Sequence, residues 1–139
     1  MLRRNKEQDE LIQFGKELDN IFEEFFEFQL KDKTEAVIHH SKDRLLAELD
    51  IDIDKLLSLP KDEMKTYLQE RKLRSRHFEK LGDYLTKVGE LQLESDKTKA
   101  KQDFEKVIEI NELADEISKT FSFDRMNKNI RVKNQLEKV

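Results

Sequence analysis

Residues 78–110 read FEKLGDYLTKVGELQLESDKTKAKQDFEKVIEI, and the spacing within this stretch decides the fold. Phe78, Leu81, Leu85 and Val88 step by three, four and three, with Leu91 alongside. Ala100, Phe104 and Val107 step by four and three. Such intervals place each set on one face of a helix and do not suit a strand. Between the two sets, Ser95-Asp96 offers an N-cap, a short acceptor side chain for a free N–H at a helix start. The second helix is expected to run on through Ala114 to Phe121, with Ile110, Leu113 and Ile117 as a second stripe. A helix apolar on two faces has to bury both.

The same reading extends in both directions. Downstream, Ser122 or Asp124 can cap a last helix through Met126, Ile130 and Leu136, whose apolar content is weak. Upstream, Pro60 suits a first helical turn, where its missing N–H is not needed. Asp62 and Glu63 place negative charge at that helix start, where the dipole favours it. Met64, Tyr67 and Leu68 follow, and a kink or break is expected near Ser75. Asp50-Ile51-Asp52-Ile53-Asp54 alternates over only five residues, so it reads as a connector, with Asp52 or Asp54 capping a short turn through Leu57.

At the N-terminal end, Leu11, Phe14, Leu18, Ile21, Phe25 and Phe28 form one helical stripe, and Phe22, Phe26 and Leu30 a second. Asp32 and Glu35 have the spacing of a capping box. A second helix follows from about Thr34 to Leu49, with Ile38, Leu45 and Leu49 on one face. The expectation is an all-α fold of about five to seven helices in antiparallel hairpins. It forms a single domain over 1–139, with an N-terminal hairpin over about 6–49, a connector over 50–60 and a C-terminal part over 61–139.

Composition supports this reading. Charged residues make up 42% of the chain and hydrophobic residues 36%, which fits apolar stripes on otherwise charged helices. Three Gly and one Pro leave few sites for tight turns, which long helices do not need. A net charge of −4 from interleaved acids and bases provides no global attraction for nucleic acid or anionic lipid. The absence of Cys excludes disulfides, thiolate metal sites and a Cys nucleophile. Met1 to Glu10 lacks the apolar run of a secretory signal, and no apolar stretch is long enough to span a membrane. The cytoplasm is the expected location.

The 78–110 stretch resembles a tetratricopeptide-repeat hairpin. Phe78, Leu81, Gly82 and Gly89 fall at that family's spacing in the first helix, and Ala100, Phe104, Val107 and Ile110 in the second. About six extra residues lie between the halves, Leu85 stands where Tyr is usual, and Glu112 where a closing Pro is usual. The resemblance implies helix packing through small residues, with Gly82 and Ala100 letting two backbones approach. Gly15 and Ala36 occupy loosely corresponding places in the N-terminal pair. As a whole the chain resembles a group of uncharacterised bacterial all-helical proteins. These join an N-terminal hairpin, a connector like Lys55-Leu56-Leu57-Ser58-Leu59-Pro60 and a repeat-like C-terminal half. The resemblance implies no activity.

Candidate chemistry is sparse. Asp50, Asp52 and Asp54 match the opening of a calcium loop, but Lys55 replaces the required Gly and Lys61 the required Glu. His39 and His40 point about 100° apart on a helix, and no Glu precedes His39, His40 or His77 by three, as a di-iron bundle requires. They read as helix-surface histidines. Glu23, Glu24 and Glu27 read as a solvated face without a cleft. Gly-rich phosphate loops and nucleophile elbows are absent from the sequence. Arg71, Lys72, Arg74 and Arg76, and Arg125, Lys128, Arg131 and Lys133, are basic runs without a nucleic-acid-binding motif, expected to pair with Glu70, Glu79 and Asp124.

No catalytic, cofactor or metal residue is therefore assigned. The leading expectation is a non-enzymatic helical module that binds a protein or peptide partner between its hairpins. The alternative is a ligand-binding bundle or enzyme subunit whose pocket the sequence does not reveal. Surplus apolar faces also suggest a homodimer, with Phe14, Phe22 and Ile117 as contact residues. Met126 and Ile130 could instead fold inward and cover such a face within one chain.

Overall fold

The computed structural model describes residues 6–28 and 34–139. Over these residues the chain is all-α, with seven helices and no strand. They are α1 (Lys6–Phe28), α2 (Thr34–Leu49), α3 (Ile53–Ser58), α4 (Lys61–Glu70), α5 (Ser75–Gln92), α6 (Lys97–Ser118) and α7 (Phe123–Glu137). The chain divides into two compact units, Met1–Leu56 and Leu57–Val139.

In the first unit, α1 and α2 pack together. Leu18, Ile21, Phe22 and Phe25 of α1 are buried, as are Ile38, Leu45 and Leu49 of α2. Phe26 departs from the expected second stripe and stays partly exposed, its ring edge-on to Phe25. Glu24 bridges the two helices by pairing with His40 at 2.8 Å and with Arg44. The proposed Asp32 cap and Leu30 lie outside the described residues, and the side chains of Leu11 and Phe28 are likewise not described.

The acidic connector serves local structure. Asp50 adopts φ 55° after α2, the left-handed conformation that commonly ends a helix. Asp52 Oδ1 accepts from the Lys55 N–H at 3.2 Å and so caps α3, while Asp54 pairs with Lys42. Ile51, Ile53 and Leu56 between them are buried.

The second unit is built on the α5–α6 hairpin, the most extensive helix contact in the chain. Asp96 caps α6 by accepting from the Lys99 N–H at 3.1 Å. One shoulder of α6 also holds the start of this unit: Gln102 donates to the Leu57 carbonyl, and Lys106, one turn on, to that of Leu59. Both carbonyls lie at or just past the C-terminal end of α3, where backbone acceptors lack helical partners. On α4, Lys61 bridges Glu112 and Glu116 of α6. Burial works against its charge, but the two carboxylates more than offset that and raise its pKa.

The chain breaks before Ser75 as expected. Lys72 turns left-handed at φ 65°, and Leu73 between the helices is buried. Arg71 lies over the Tyr67 ring at 3.5 Å, so part of the basic run is spent on the α4 end. His77 is fully buried, contrary to a surface reading, because its Nδ1 accepts the Arg74 N–H at 2.9 Å and closes the first turn of α5. His39 and His40 are exposed.

Candidate interaction surface

α6 was expected to reach Phe121, but it stops at Ser118. Lys119 adopts φ 56° and caps it. The Ser118 hydroxyl then meets Thr120 Oγ1 at 2.9 Å, and the chain reverses. Ser122 Oγ accepts the Arg125 N–H at 3.2 Å and starts α7. The reversal ejects Phe121 from the α6 stripe and leaves it 63% exposed.

α7 docks through polar side chains. Arg125 is buried and its guanidinium reaches Asp115 of α6, Glu79 of α5 and the Thr120 carbonyl. Lys128 pairs with Asp83 at 3.1 Å, and Gln135 donates to Glu90 at 3.3 Å. Asn111 donates to Asn129 at 2.8 Å. The contacts to α5 keep a near-constant separation of 45 or 46 residues, so α7 runs parallel to α5. Glu79, Asp83 and Glu90 are four and seven residues apart, which lines them along one face of α5. Val132 is the one fully covered apolar residue on this side of α7.

Ion pairing holds α7 against α5 and α6. Burial opposes the charge on Arg125, yet the hydrogen bond and charge of Asp115, with Glu79, raise its pKa further. For Lys128, burial is likewise outweighed by Asp83 and Asp124, and its pKa rises.

Over the first two turns of α7 the opposite face is apolar, before Lys133, Asn134 and Glu137 take it over. Phe123 is 72% exposed, Ile130 49% and Met126 37%. At 100° per residue these three fall within about 60° of arc, diametrically opposite Val132. Phe121 extends the stripe: its ring meets that of Phe123 edge-on, centroids 5.2 Å apart. Aromatic side chains carry roughly 150–250 Å² each, so at these exposures the four residues offer on the order of 400 Å². That matches the largest apolar patch on an ordinary monomer, which is often functional. In the first unit Ile12 and Phe26 of α1 and Leu46 of α2 are also exposed; fourteen residues of helix separate Ile12 from Phe26 by about 21 Å.

The repeat-like residues sit elsewhere. Phe78, Leu81, Gly82, Gly89, Ala100, Phe104, Val107 and Ile110 are all buried within the second unit. The close approaches differ from the expected Gly82–Ala100 pair: Gly82 faces Asn111 and Ile110, and Gly89 faces the Phe104 ring. Of the expected self-association residues, Phe22 is buried and so offers no surface, while Phe14 and Ile117 are half-buried. Met126 and Ile130 do not fold inward; Arg125 and Val132 take that side. Sequence reading missed Phe121 and Phe123 as surface residues. A signal was present in the acidic row on α5 and the basic row on α7, whose match fixes which face of α7 turns in.

Among the described residues, no group of three or more His, Asp or Glu side chains is placed to hold a metal ion. No described helix is long and apolar enough to cross a membrane. Comparison with family models, with curated proteins and with solved structures gives no match.

Proposed function

We propose that this chain is a non-enzymatic helical interaction module whose docking surface is the outward stripe Phe121, Phe123, Met126 and Ile130. One observation carries the reading: α7 is held by ion pairs and amides and leaves its apolar stripe in solvent. Burying the stripe inward would stabilise by roughly 25 cal/mol per Å², so an outward stripe is an arrangement that folding alone does not favour. The tetratricopeptide-like hairpin fits this reading as a proposal. α7 lies parallel to α5 where the first helix of a following unit would stand. Terminal helices of repeat arrays normally turn a polar face outward, whereas this one turns an apolar face outward, as an internal helix does toward its neighbour.

The test compares full-length wild type with Ile130→Glu as baits in quantitative capture from the native cell. Proteins enriched by wild type and lost with Ile130→Glu, at unchanged circular dichroism, support the reading. Identical captures from the two baits would exclude the stripe as a docking surface.

A further inference from the structure

We infer that two copies of this chain exchange α7: α6 and α7 straighten into one helix, and its α7 half docks by its inward face on the α5–α6 hairpin of the other copy. The turn between the helices is where this starts. Lys119 ends α6 at φ 56°, a left-handed conformation that usually falls to Gly, because a side chain there crowds the following carbonyl. Residues 97–137 contain neither Gly nor Pro, so no residue type between the start of α6 and the end of α7 forbids one continuous helix. Short hinges under strain favour the exchange of a terminal element between identical chains.

The apolar pattern of α6 also runs on past the turn. Ile110, Ala114, Ile117 and Phe121 step by four, three and four, and on an unbroken helix they share about 60° of arc. In the closed chain Phe121 leaves that stripe and is 63% exposed. In the exchanged pair it rejoins the stripe, and the two copies of Phe121 come within about 3 Å of each other along the helix direction.

Register and phase both permit the exchange. Asn111 donates to Asn129, and Arg125 to Asp115, and both pairs are centred on residue 120. Two unbroken helices crossing antiparallel at residue 120 therefore set Asn111 against the partner's Asn129 and Asp115 against the partner's Arg125. Phase is the stricter condition, because on one straight helix all four residues must face the same way. At 100° per residue, Asn111 and Asn129 coincide after five turns, and Asp115 and Arg125 fall about 40° to either side. The four keep to about 80° of arc, the width of one helix contact. The flank toward α5 matches as well. Ile110 faces Gly82 of α5 and Lys128 pairs with Asp83 of α5. These two are also five turns apart, so α6 and α7 of one straight helix turn the same flank to an α5.

The hold on α7 suits release and recapture. It consists of the Arg125 and Lys128 ion pairs, the Asn111–Asn129 and Gln135–Glu90 contacts, and Val132. Water can replace the polar contacts while the helix moves, and each is remade on the other copy. Phe123, Met126 and Ile130 stay on the outer side in both forms, so the exchange does not depend on what docks there.

Sedimentation of the full chain, refolded from urea at rising concentration, tests this. A species of twice 16.7 kDa should appear. Lys119→Gly relieves the closed turn and puts Gly inside the fused helix, so it should weaken the dimer at least tenfold. Ser122→Ala removes the α7 cap and should strengthen it. Because the chain has no Cys, two single variants report the exchange directly. Asn111→Cys and Asn129→Cys chains refolded together should form a disulfide-linked dimer under mild oxidation. Either variant alone should not, since its two copies stand about 27 Å apart in the exchanged pair. A monomer at all concentrations, a dimer indifferent to Lys119→Gly and Ser122→Ala, or cross-linking of a single variant as readily as of the mixture would each overturn the inference. Should either Cys variant lose its helical circular dichroism, the responses to Lys119→Gly and Ser122→Ala decide alone.

Discussion

A methyl group added at Gly89 would lie 2.7 Å from Cε1 of Phe104 and 3.0 Å from two further ring carbons. The ring is fully buried, so it has no free end to swing away. Overpacking of this kind costs about 1–3 kcal/mol, and the better helix propensity of Ala returns up to about 1 kcal/mol. Gly89→Ala should therefore lower the urea midpoint. At Gly82 the nearest atom is Asn111 Oδ1 at 3.1 Å, a side-chain amide, so Gly82→Ala should be close to neutral. Equal effects at the two sites would refute the ring contact as the cause. The sequence signalled close approach through these glycines, but misassigned the partner of Gly82. With the link between the helices centred near Ser95, Gly82 lies well back along α5, and its counterpart is correspondingly far down α6, at Asn111 instead of Ala100.

At the scale of the element, α7 inverts the usual amphipathic helix. Its hold depends on Arg125, whose side chain is 8% exposed between Asp115 and Glu79. Breaking a buried pair by removing one partner costs about 3–5 kcal/mol. Both acids here are about one third exposed and regain water, so Arg125→Ala should cost about 2 kcal/mol. It should also speed amide exchange across α7. Ile130→Ser, on the outward face, should change stability by no more than about 0.5 kcal/mol. The reverse order in chemical denaturation would mean that the stripe is the true inner face. Lys128 adds a pH signature. Burial works against its charge, but Asp83 and Asp124 raise its pKa above the ordinary 10.5. Its stabilisation is thus whole below pH 10.5 and lost as pH rises through the higher folded value. The melting-point gap between wild type and Lys128→Met should be flat to about pH 10 and narrow as the pH rises above 10.5; a gap that keeps its full width as the pH is raised through the alkaline range would contradict the ion pair as the source. The existence of α7 was legible from Ser122 and the downstream spacing. Its orientation is not settled by the sequence, which offers Met126 and Ile130 only as one possible inner face. Met126 and Ile130 outrank Val132 in apolar bulk, yet the charge match to Glu79 and Asp83 turns the helix the other way.

For the whole molecule, helical class was readable because three-and-four spacing recurs through a chain with three Gly and one Pro, leaving strands and tight turns little to work with. Function was less readable, because the same apolar residue types form the α5–α6 core and the exposed stripe. Only the packing of neighbours distinguishes Val107, which is buried, from Ile130, which is not. The second unit carries a core of its own. Met64, Leu68, Phe78, Leu81, Tyr84, Leu85, Val88, Phe104, Val107, Ile110 and Leu113 are buried, and all lie within Leu57–Val139. Helices lower the kinetic barrier because their contacts are local, and the caps at Asp96 and Ser122 each add about 1 kcal/mol. A fragment of residues 57–139 should therefore fold alone, with helical circular dichroism and a single cooperative melt. Arg125→Ala should lower that melt and Ile130→Ser should not, as in the full chain. A fragment that is unfolded at low temperature would show that the α5–α6 core cannot support itself, and would remove the basis for treating residues 57–139 as the unit that carries the docking surface.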